Sequence, residues 1–512
     1  MSRANITLTI TNVSIYIDGH LPSDIYQGLK KTLGYIPEDA VFMVKNKKSY
    51  WGKNKWDGHV SLVCRNKTYC KCPNKKDGIH FPTGLFRKAK DFFDQNDVRY
   101  IIKDARKQLE KNLDIYISSE AEVRDYQTDI AEKAVRQQRS LLQMATAGGK
   151  TFTGAKIIQG FGVAPFIFYV PSIDLVKQTR EELHKFLVDK DGNHLNIGAI
   201  GGGVYDPQDI TVITTQTAVR ACGAEYVKSD DEDEVEKEEN VLKEKRKEIL
   251  DLITSAKGII FDECQHVAAE TSQIIADYSV SARYRCGMSA TVFRDKNDDI
   301  LIEACLGKMC GNISASFLIE KGYLVKPYIY FIRHTPKNIS GHTYSSIYKN
   351  AIVEDEERNN IIARLASQMA QKGKNVLVLI KNISHGKTLE KIIPDSVFIY
   401  GKHSGEERHE HFEKIRKSDS NIMIASTILD EGVNIKNLDV LIMAASGKSV
   451  TRALQRIGRI LRTYTNPVTQ EKKKEAIIID FEDHCKYLLQ HSRKRKKIYM
   501  SEPAFHVEYL DI

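Results

Sequence analysis

What is missing from this 512-residue chain already narrows its class. No apolar run is long enough to span a membrane, and the most apolar stretch, 161–170, is about half the length a membrane helix needs. The opening residues, Met-Ser-Arg-Ala-Asn-Ile-Thr, contain no apolar h-region, so a secretory leader is not expected. Cysteines number nine, an odd count scattered without disulfide rhythm, which fits a reducing cytosol. The composition lacks the bias of disordered or fibrous chains and reads as ordinary globular protein. Nor does any residue pattern point to a nuclease.

What is present has a mild basic excess, 76 Lys and Arg against 67 Asp and Glu, for a net charge of +9. Such an excess suits a polyanionic partner without requiring one. Three regions differ in pattern. Residues 1–112 are basic and aromatic, with short alternating runs at 7–10 and 59–63 that read as strands of a small mixed domain. From 113 to 322, apolar runs at 141–142, 166–170, 210–214 and 258–261 alternate with helical patterns. A second series fills 323–490, through 376–380, 397–400, 422–425, 440–444 and 476–479. Buried strands interleaved with helices are the signature of parallel-sheet α/β domains. Two stretches break the pattern. The first, 228–248, is almost all charge and reads as a solvated loop leading into an exposed helix, with a regulatory or partner-binding insert as the alternative. The second, 491–512, reads as a basic tail whose run Arg493 to Lys497 either touches phosphate or stays solvated.

Within the first series, Ala145-Thr146-Ala147-Gly148-Gly149-Lys150-Thr151 follows an apolar run and precedes a helix-like segment. A phosphate-binding loop requires that context. Ala147, Gly148 and Gly149 let backbone N–H groups turn toward phosphates, and the helix N-terminus adds positive potential. Lys150 would reach the β- and γ-phosphates and the Thr151 hydroxyl would ligate magnesium. Met144 stands where the consensus has its first glycine, so the loop alone is weak evidence. Its partner lies about 110 residues on, where Ile259-Ile260-Phe261-Asp262-Glu263-Cys264 ends a buried strand in two carboxylates. Asp262 is placed to hold magnesium, and Glu263 to orient and deprotonate the attacking water. The bland alternative for the carboxylates, an acidic strand-to-loop junction, does not explain why they follow the lysine loop.

With these residues the chain resembles the superfamily 2 helicases, and further motifs follow in that family's order. Arg124-Asp125-Tyr126-Gln127 resembles its adenine-reading element, with Gln127 on the adenine edge and an arginine such as Arg124, or an aromatic ring, stacked on it. Pro171 to Gln178 and Thr214 to Thr217 resemble the motifs that face nucleic-acid backbone, which implies contacts by Gln178, Thr215 and Gln216. Motif II reads Asp-Glu-Cys-Gln-His, so either Gln265 or His266 takes the coupling role. Ser289-Ala290-Thr291 resembles motif III, implying that Ser289 and Thr291 link hydrolysis to strand binding. Thr427 with Asp430 to Asn434 resembles motif V, which brings Gly432 and Asn434 to the nucleotide. Gln455-Arg456-Ile457-Gly458-Arg459-Ile460-Leu461-Arg462 resembles motif VI. Arg459 and Arg462 are three apart and share a helix face. The resemblance implies that they neutralise the transferred phosphoryl group, with Gln455 beside them.

The resemblance spans roughly 115–485 and implies an α/β fold: two tandem RecA-like parallel-sheet domains behind a small α+β domain. Motif II departs from Asp-Glu-Ala-Asp, which argues against the RNA remodellers named for that sequence. Trp51-Gly52, Trp56-Asp57-Gly58 and Phe81 to Leu85 resemble the small leading domain of the phage UvsW type and its XPB-like relatives. That narrower likeness implies an ATP- and magnesium-dependent DNA helicase acting on forks, Holliday junctions, D-loops or R-loops, in a host cytoplasm if phage-encoded. The partner would be branched DNA or an RNA–DNA hybrid, with no membrane and a monomer as the default expectation. Two alternatives stay open: an ATP-gated nucleic-acid binder, and the motor subunit of a larger nuclease or transcription complex.

In the leading domain, Trp51, Lys53, Lys55 and Trp56 interleave cations with rings that could stack on unpaired bases. The same tryptophans could instead fill the core of a small sheet. His59, Cys64, Cys70, Cys72 and His80 are capable of binding zinc, but their spacing does not match the paired pattern of structural zinc sites.

Overall fold

The structure is a computed structural model. It describes residues 4–38, 40, 57–65, 78–224, 232–268, 270–291, 298–337, 339–341, 343–400, 421–426, 437–447, 457–458, 460–465 and 470–511. The chain packs as two compact units: residues 1–144 with 149–312, and residues 145–148 with 313–512.

The first unit opens with a small α+β domain made of β1 (Ala4–Ile10), β2 (Ser14–Asp18), α1 (Ser23–Thr32), β3 (Gly34–Tyr35), β4 (Val60–Ser61), β5 (Ile79–Pro82), α2 (Phe86–Gln95) and β6 (Val98–Asp104). Its main sheet has the order β5-β2-β1-β6, with β1 antiparallel to β2 and parallel to β6. Alternation in β1 sends Ile6, Leu8 and Ile10 to one face. There they meet Ile25 and Leu29 of α1 and Ala89 and Phe93 of α2, each pair spaced four residues apart on one helix face.

This domain is joined to the rest of its unit by polar contacts at the β1–β2 turn. Asn12 O accepts from both terminal nitrogens of Arg139, at 3.1 and 2.5 Å, while Asn12 Nδ2 donates to Val280 O at 3.1 Å. Burial holds the Arg139 guanidinium well below the usual arginine range. Lys88 pairs with Glu303 at 2.6 Å, and a Cβ at Gly84 would strike the carbonyls of Glu303 and Ala304.

The remainder of the first unit is a RecA-like layered domain. In chain order its elements are β7 (Tyr116–Ile117), α3 (Asp125–Gln137), β8 (Arg139–Met144), α4 (Lys150–Phe161), β9 (Phe166–Val170), α5 (Ile173–Phe186) and β10 (Leu187–Val188). Then follow β11 (Ile197–Gly201), β12 (Val204–Asp206), β13 (Ile210–Thr214), α6 (Thr215–Ala221), α7 (Glu232–Ser255) and β14 (Gly258–Asp262). The last are α8 (Glu270–Tyr278), β15 (Tyr284–Ser289), α9 (Ile300–Leu306) and β16 (Met309–Ile313). The sheet order is β12-β11-β13-β9-β14-β15-β8-β16, parallel from β11 through β8. Strands β9, β11 and β13 are buried at every position, as sheets covered on both faces require. Within the charged stretch 228–248, Leu242 of α7 is buried while 243–248 are largely exposed, and Ile249 and Ile253 carry the buried stripe on beyond it. Their 7- and 4-residue spacing supplies the apolar stripe.

The second unit is a seven-stranded parallel sheet of order β19-β20-β18-β21-β22-β17-β23. It comprises α10 (Ala315–Glu320), β17 (Lys326–His334), α11 (Tyr344–Tyr348), α12 (Glu356–Gln371), β18 (Val376–Ile380), α13 (Ile383–Ile392), β19 (Ser396–Ile399), β20 (Ile422–Ser426), β21 (Val440–Met443), β22 (Glu475–Asp483), α14 (Leu488–Tyr499) and β23 (His506–Tyr509). Two boundaries shift from the expected 322/323 and 490/491. Helix α10 belongs to this unit, its Ser316 bonded through Oγ to Glu502 at 2.6 Å. Residues 491–512 are not a tail: β23 extends the sheet alongside β17, and Arg495 is buried against Asp480. A bidentate carboxylate partner offsets the cost of burying a charged guanidinium.

Candidate active site

Strand β15 lies between β14 and β8, so their carboxyl ends bring Asp262, Ser289 and the loop after Met144 to one edge of the first sheet. Ligands of open parallel sheets bind at this edge. The loop turns through two left-handed residues, Ala147 at φ 67° and Gly149 at φ 76°. Gly148 N donates to Ala145 O at 2.9 Å and Gly149 N-caps α4. A Cβ at Gly149 would collide with the Gln127 carboxamide, so the third small residue is needed for packing as well as for dihedral freedom. Gln127 is buried, and its Oε1 accepts from Arg124 N at 3.1 Å, closing the start of α3. Arg124 Nη1 in turn donates to Tyr126 OH at 2.9 Å.

Lys150, Asp262 and Glu263 form one cluster. The Lys150 ammonium bonds Glu263 Oε1 and lies 3.3 Å from Asp262 Oδ1, and the three side chains are only 14–17% exposed. Burial alone would lower the lysine, yet the two carboxylates outweigh it and hold Lys150 above its ordinary value. Burial pushes Asp262 up. For Glu263 burial acts the same way but is overcome by the Lys150 charge and by hydrogen bonds from Lys150 and Gln265, so it sits below the usual range. Two carboxylates against one ammonium leave an excess negative charge suited to a cation. Glu263 itself adopts φ 47°, a strained conformation for a non-glycine residue of the kind that collects at functional sites.

Of the two candidates after motif II, Gln265 is buried and its Nε2 donates to Glu263 Oε2 at 3.0 Å, while His266 is exposed and its charge helps to hold Glu263 low. Ser289 Oγ lies 3.5 Å from the same Glu263 oxygen. It also bonds Thr291 through O and N, both at 3.0 Å. The Thr291 hydroxyl is buried without a partner among the described residues. Gln127, Gly149, Lys150, Asp262, Glu263, Gln265, Ser289 and Thr291 are therefore brought together. Thr151 starts α4 beside them.

The expected strand-contacting residues lie further along the same carboxyl edge. Thr215 Oγ1 donates to Val170 O at 3.2 Å, Gln216 is half-buried on α6, and Gln178 on α5 donates to Glu182 at 2.8 Å. In the second unit, Arg462 pairs as a backbone bridge with Leu324, and Leu461 O accepts from Val325 N at 2.9 Å. Trp51, Lys53, Lys55, Trp56, Gly432, Asn434, Gln455 and Arg459 lie outside the described residues, as do Cys70 and Cys72. Cys64 and His80 exchange backbone hydrogen bonds at 2.8 and 2.9 Å, and His80 is buried with Nδ1 on Gly78 O. Two buried arginines, Arg358 paired with Asp483 and Arg495 paired with Asp480, carry no signal in the sequence that marks them out.

A lysine loop and paired carboxylates at one sheet edge, with a second parallel-sheet unit following, define a nucleoside-triphosphate hydrolase of the tandem RecA-like class. Family models agree: the type III restriction enzyme res subunit matches residues 120–294, and the helicase conserved C-terminal domain matches residues 353–464. The chain belongs to the superfamily 2 helicases and is an ATP-dependent enzyme of that family. Among its relatives, the DNA 3'-5' translocase XPB2 of Sulfurisphaera tokodaii is 26% identical, over 76% of this chain and 89% of that protein. The ATP-dependent DNA helicase uvsW of Enterobacteria phage T4 is 24% identical, over 87% and 89%. A DNA-bound type ISP restriction-modification enzyme, LlaBIII, shares the fold with a TM-score of 0.52, at 15% identity over 82% of this chain and 34% of that one.

Proposed function

We propose that this chain is an ATP-driven DNA motor that unwinds or branch-migrates forks, Holliday junctions, D-loops and R-loops in recombination, repair or replication restart, in the cytoplasm or a host's cytoplasm. The observation that carries the reading is the Lys150–Glu263 ion pair with Gln265 on the other carboxylate oxygen. The lysine read as phosphate-binding is bonded to the carboxylate read as water-activating. When ATP arrives, its β- and γ-phosphates draw Lys150 away, and Glu263, still oriented by Gln265 and Ser289, is freed to align and deprotonate a water. Phosphoryl transfer depends on such positioning and charge neutralisation. Gln127 reads the adenine edge and Arg124 stacks on it, while Ala147, Gly148 and Gly149 present the backbone to phosphate. Thr151 and Asp262, with the excess negative charge noted above, would hold magnesium, which neutralises phosphate charge when bound.

By their resemblance to motifs V and VI, Arg459 and Arg462 neutralise the transferred group, with Gln455 beside them and Gly432 and Asn434 at the nucleotide. Ser289 and Thr291 relay the state of Glu263. Gln178, Thr215 and Gln216 hold the strand by its phosphates, so binding is indifferent to sequence and weakens with salt. Residues 1–112, with Trp51, Lys53, Lys55 and Trp56, select branched structure. The names of the translocase and helicase relatives support DNA as the track.

The test measures ATPase rate with no nucleic acid, single strand, duplex, a four-way junction and an RNA–DNA hybrid, each beside a strand-separation assay. Stimulation by the junction with separation supports the reading. Hydrolysis without separation on any substrate refutes it in favour of an ATP-gated binder. The restriction-enzyme description of the first family model favours one other reading, a motor subunit of a larger nuclease. That version predicts feeble activity until a partner co-elutes on size exclusion.

A further inference from the structure

Two buried arginines of the second unit converge on one short stretch of backbone. Arg358, in the first turn of α12, donates through Nε to Asp483 Oδ1 at 2.9 Å and through Nη1 to Ala444 O at 3.1 Å. Its Nη2 reaches Ser446 Oγ at 3.4 Å, and Ser446 Oγ donates to Asp483 Oδ2 at 2.6 Å. The guanidinium lies 4.2 Å from the centre of the Phe481 ring. Arg495 of α14 grips Asp480 with two bonds of 2.8 Å, and its Nη1 donates to Gly447 O at 2.8 Å. Tyr499 OH completes that carboxylate at 3.2 Å. Two aspartates of β22 thus hold two guanidinium groups whose remaining donors fix the carbonyls of Ala444 and Gly447, just beyond the end of β21.

Stability alone does not account for this choice of residues. Replacing a buried ion pair by packed apolar side chains is often neutral or stabilising, because desolvation offsets the attraction. What two rigid guanidinium forks supply is direction: one edge fixed on a carboxylate, the other aimed at a particular carbonyl. The backbone they hold leads, eight residues after Gly447, into Gln455 and then Arg459 and Arg462. The far end of that segment is also tied, by Leu461 O and the Arg462–Leu324 bridge.

We propose that Arg358 and Arg495, with Ser446, Asp480 and Asp483, are positioning residues for ATP turnover that set where the segment bearing Arg459 and Arg462 leaves the sheet. The proposal rests on the reading of those two arginines as the groups that neutralise the transferred phosphoryl. Removing either buried arginine risks unfolding the unit, so the decisive variant is Ser446→Ala, which deletes one hydroxyl and leaves both ion pairs. It is expected to lower kcat per folded molecule by about 10- to 100-fold, the scale on which small misplacements act, with nucleotide affinity within about twofold of wild type. Arg462→Lys should lower kcat by itself, and combining the two should cost less than the product of the separate losses, as for residues that act as one unit. Unchanged kcat in Ser446→Ala, or losses that multiply, overturns the proposal. So does a lowered melting temperature with kcat per folded molecule intact, which would make the network structural only. Failure of the underlying reading looks different: Arg462→Lys would then turn over ATP at the wild-type rate.

Discussion

Deleting the Lys150 ammonium should destabilise the nucleotide-free protein in a pH-dependent way, in addition to abolishing turnover. The side chain is the cation bonded to Glu263 and 3.3 Å from Asp262 in a largely buried cluster. In Lys150→Ala the two carboxylates face each other without it, so repulsion joins burial in raising their folded-state pKa above the unfolded value near 4. The sign follows from linkage. A carboxyl whose folded pKa is raised binds more protons folded than unfolded, so stability is lost as pH rises from the unfolded pKa through the folded one. Removing one partner of a buried ion pair typically costs about 3–5 kcal/mol, and here the cost is largest at high pH, where both carboxylates are charged. For a domain of this size that is a fall of roughly 5 °C or more in melting temperature. Scanning calorimetry of wild type and variant between pH 5 and 8.5 should show the gap open with pH. Magnesium should narrow it in the variant if Asp262 and Thr151 hold the ion. A gap that stays constant with pH, or a variant as stable as wild type at pH 8, would refute the electrostatic account.

The other expectations concern single side chains. Arg462→Ala should keep nucleotide binding, followed by fluorescence of a labelled nucleotide, and lose about 10³-fold or more in turnover. Gln265→Ala should lower kcat by about 10-fold or more by releasing Glu263, whereas His266→Ala, exposed in this structure, should change it by less than about twofold; equal effects in the ATPase assay would contradict the geometry. Gly149→Ala should weaken ATP binding and cost at least about 1 kcal/mol by chemical denaturation, since the new Cβ meets Gln127 at positive φ.

Much of the fold and the nucleotide-binding half of the candidate site could be read from the sequence, because both are written in contiguous residues. Phe166–Val170 is apolar at every position and becomes a strand buried on both faces. The Gly149-Lys150-Thr151 loop and Asp262-Glu263 carry their chemistry in linear motifs. What stayed hidden depends on partners far away in the chain. Arg495 sits in a run of five cations that reads as touching phosphate or staying solvated, and its partner Asp480 can be found only once α14 packs on β22. The charged stretch before α7's apolar stripe masked a periodicity that Leu242, Ile249 and Ile253 in fact display. Gln265 and His266 are adjacent in sequence, and the tight turn 264–268 is what sets the Gln265 carboxamide on the Glu263 carboxylate.

The contacts at Asn12 carry a mechanical consequence. Its carbonyl is gripped by Arg139 at the start of β8, and its amide by Val280 just ahead of β15, so the leading domain is keyed into the floor of the first ATPase sheet. Gly84 and Lys88 seat its other flank on α9. A drill bit clamped in its chuck behaves in this way, and a hook on a tether does not. If the leading domain holds nucleic acid as proposed, a movement of the first sheet would reach it through these contacts rather than through a slack linker.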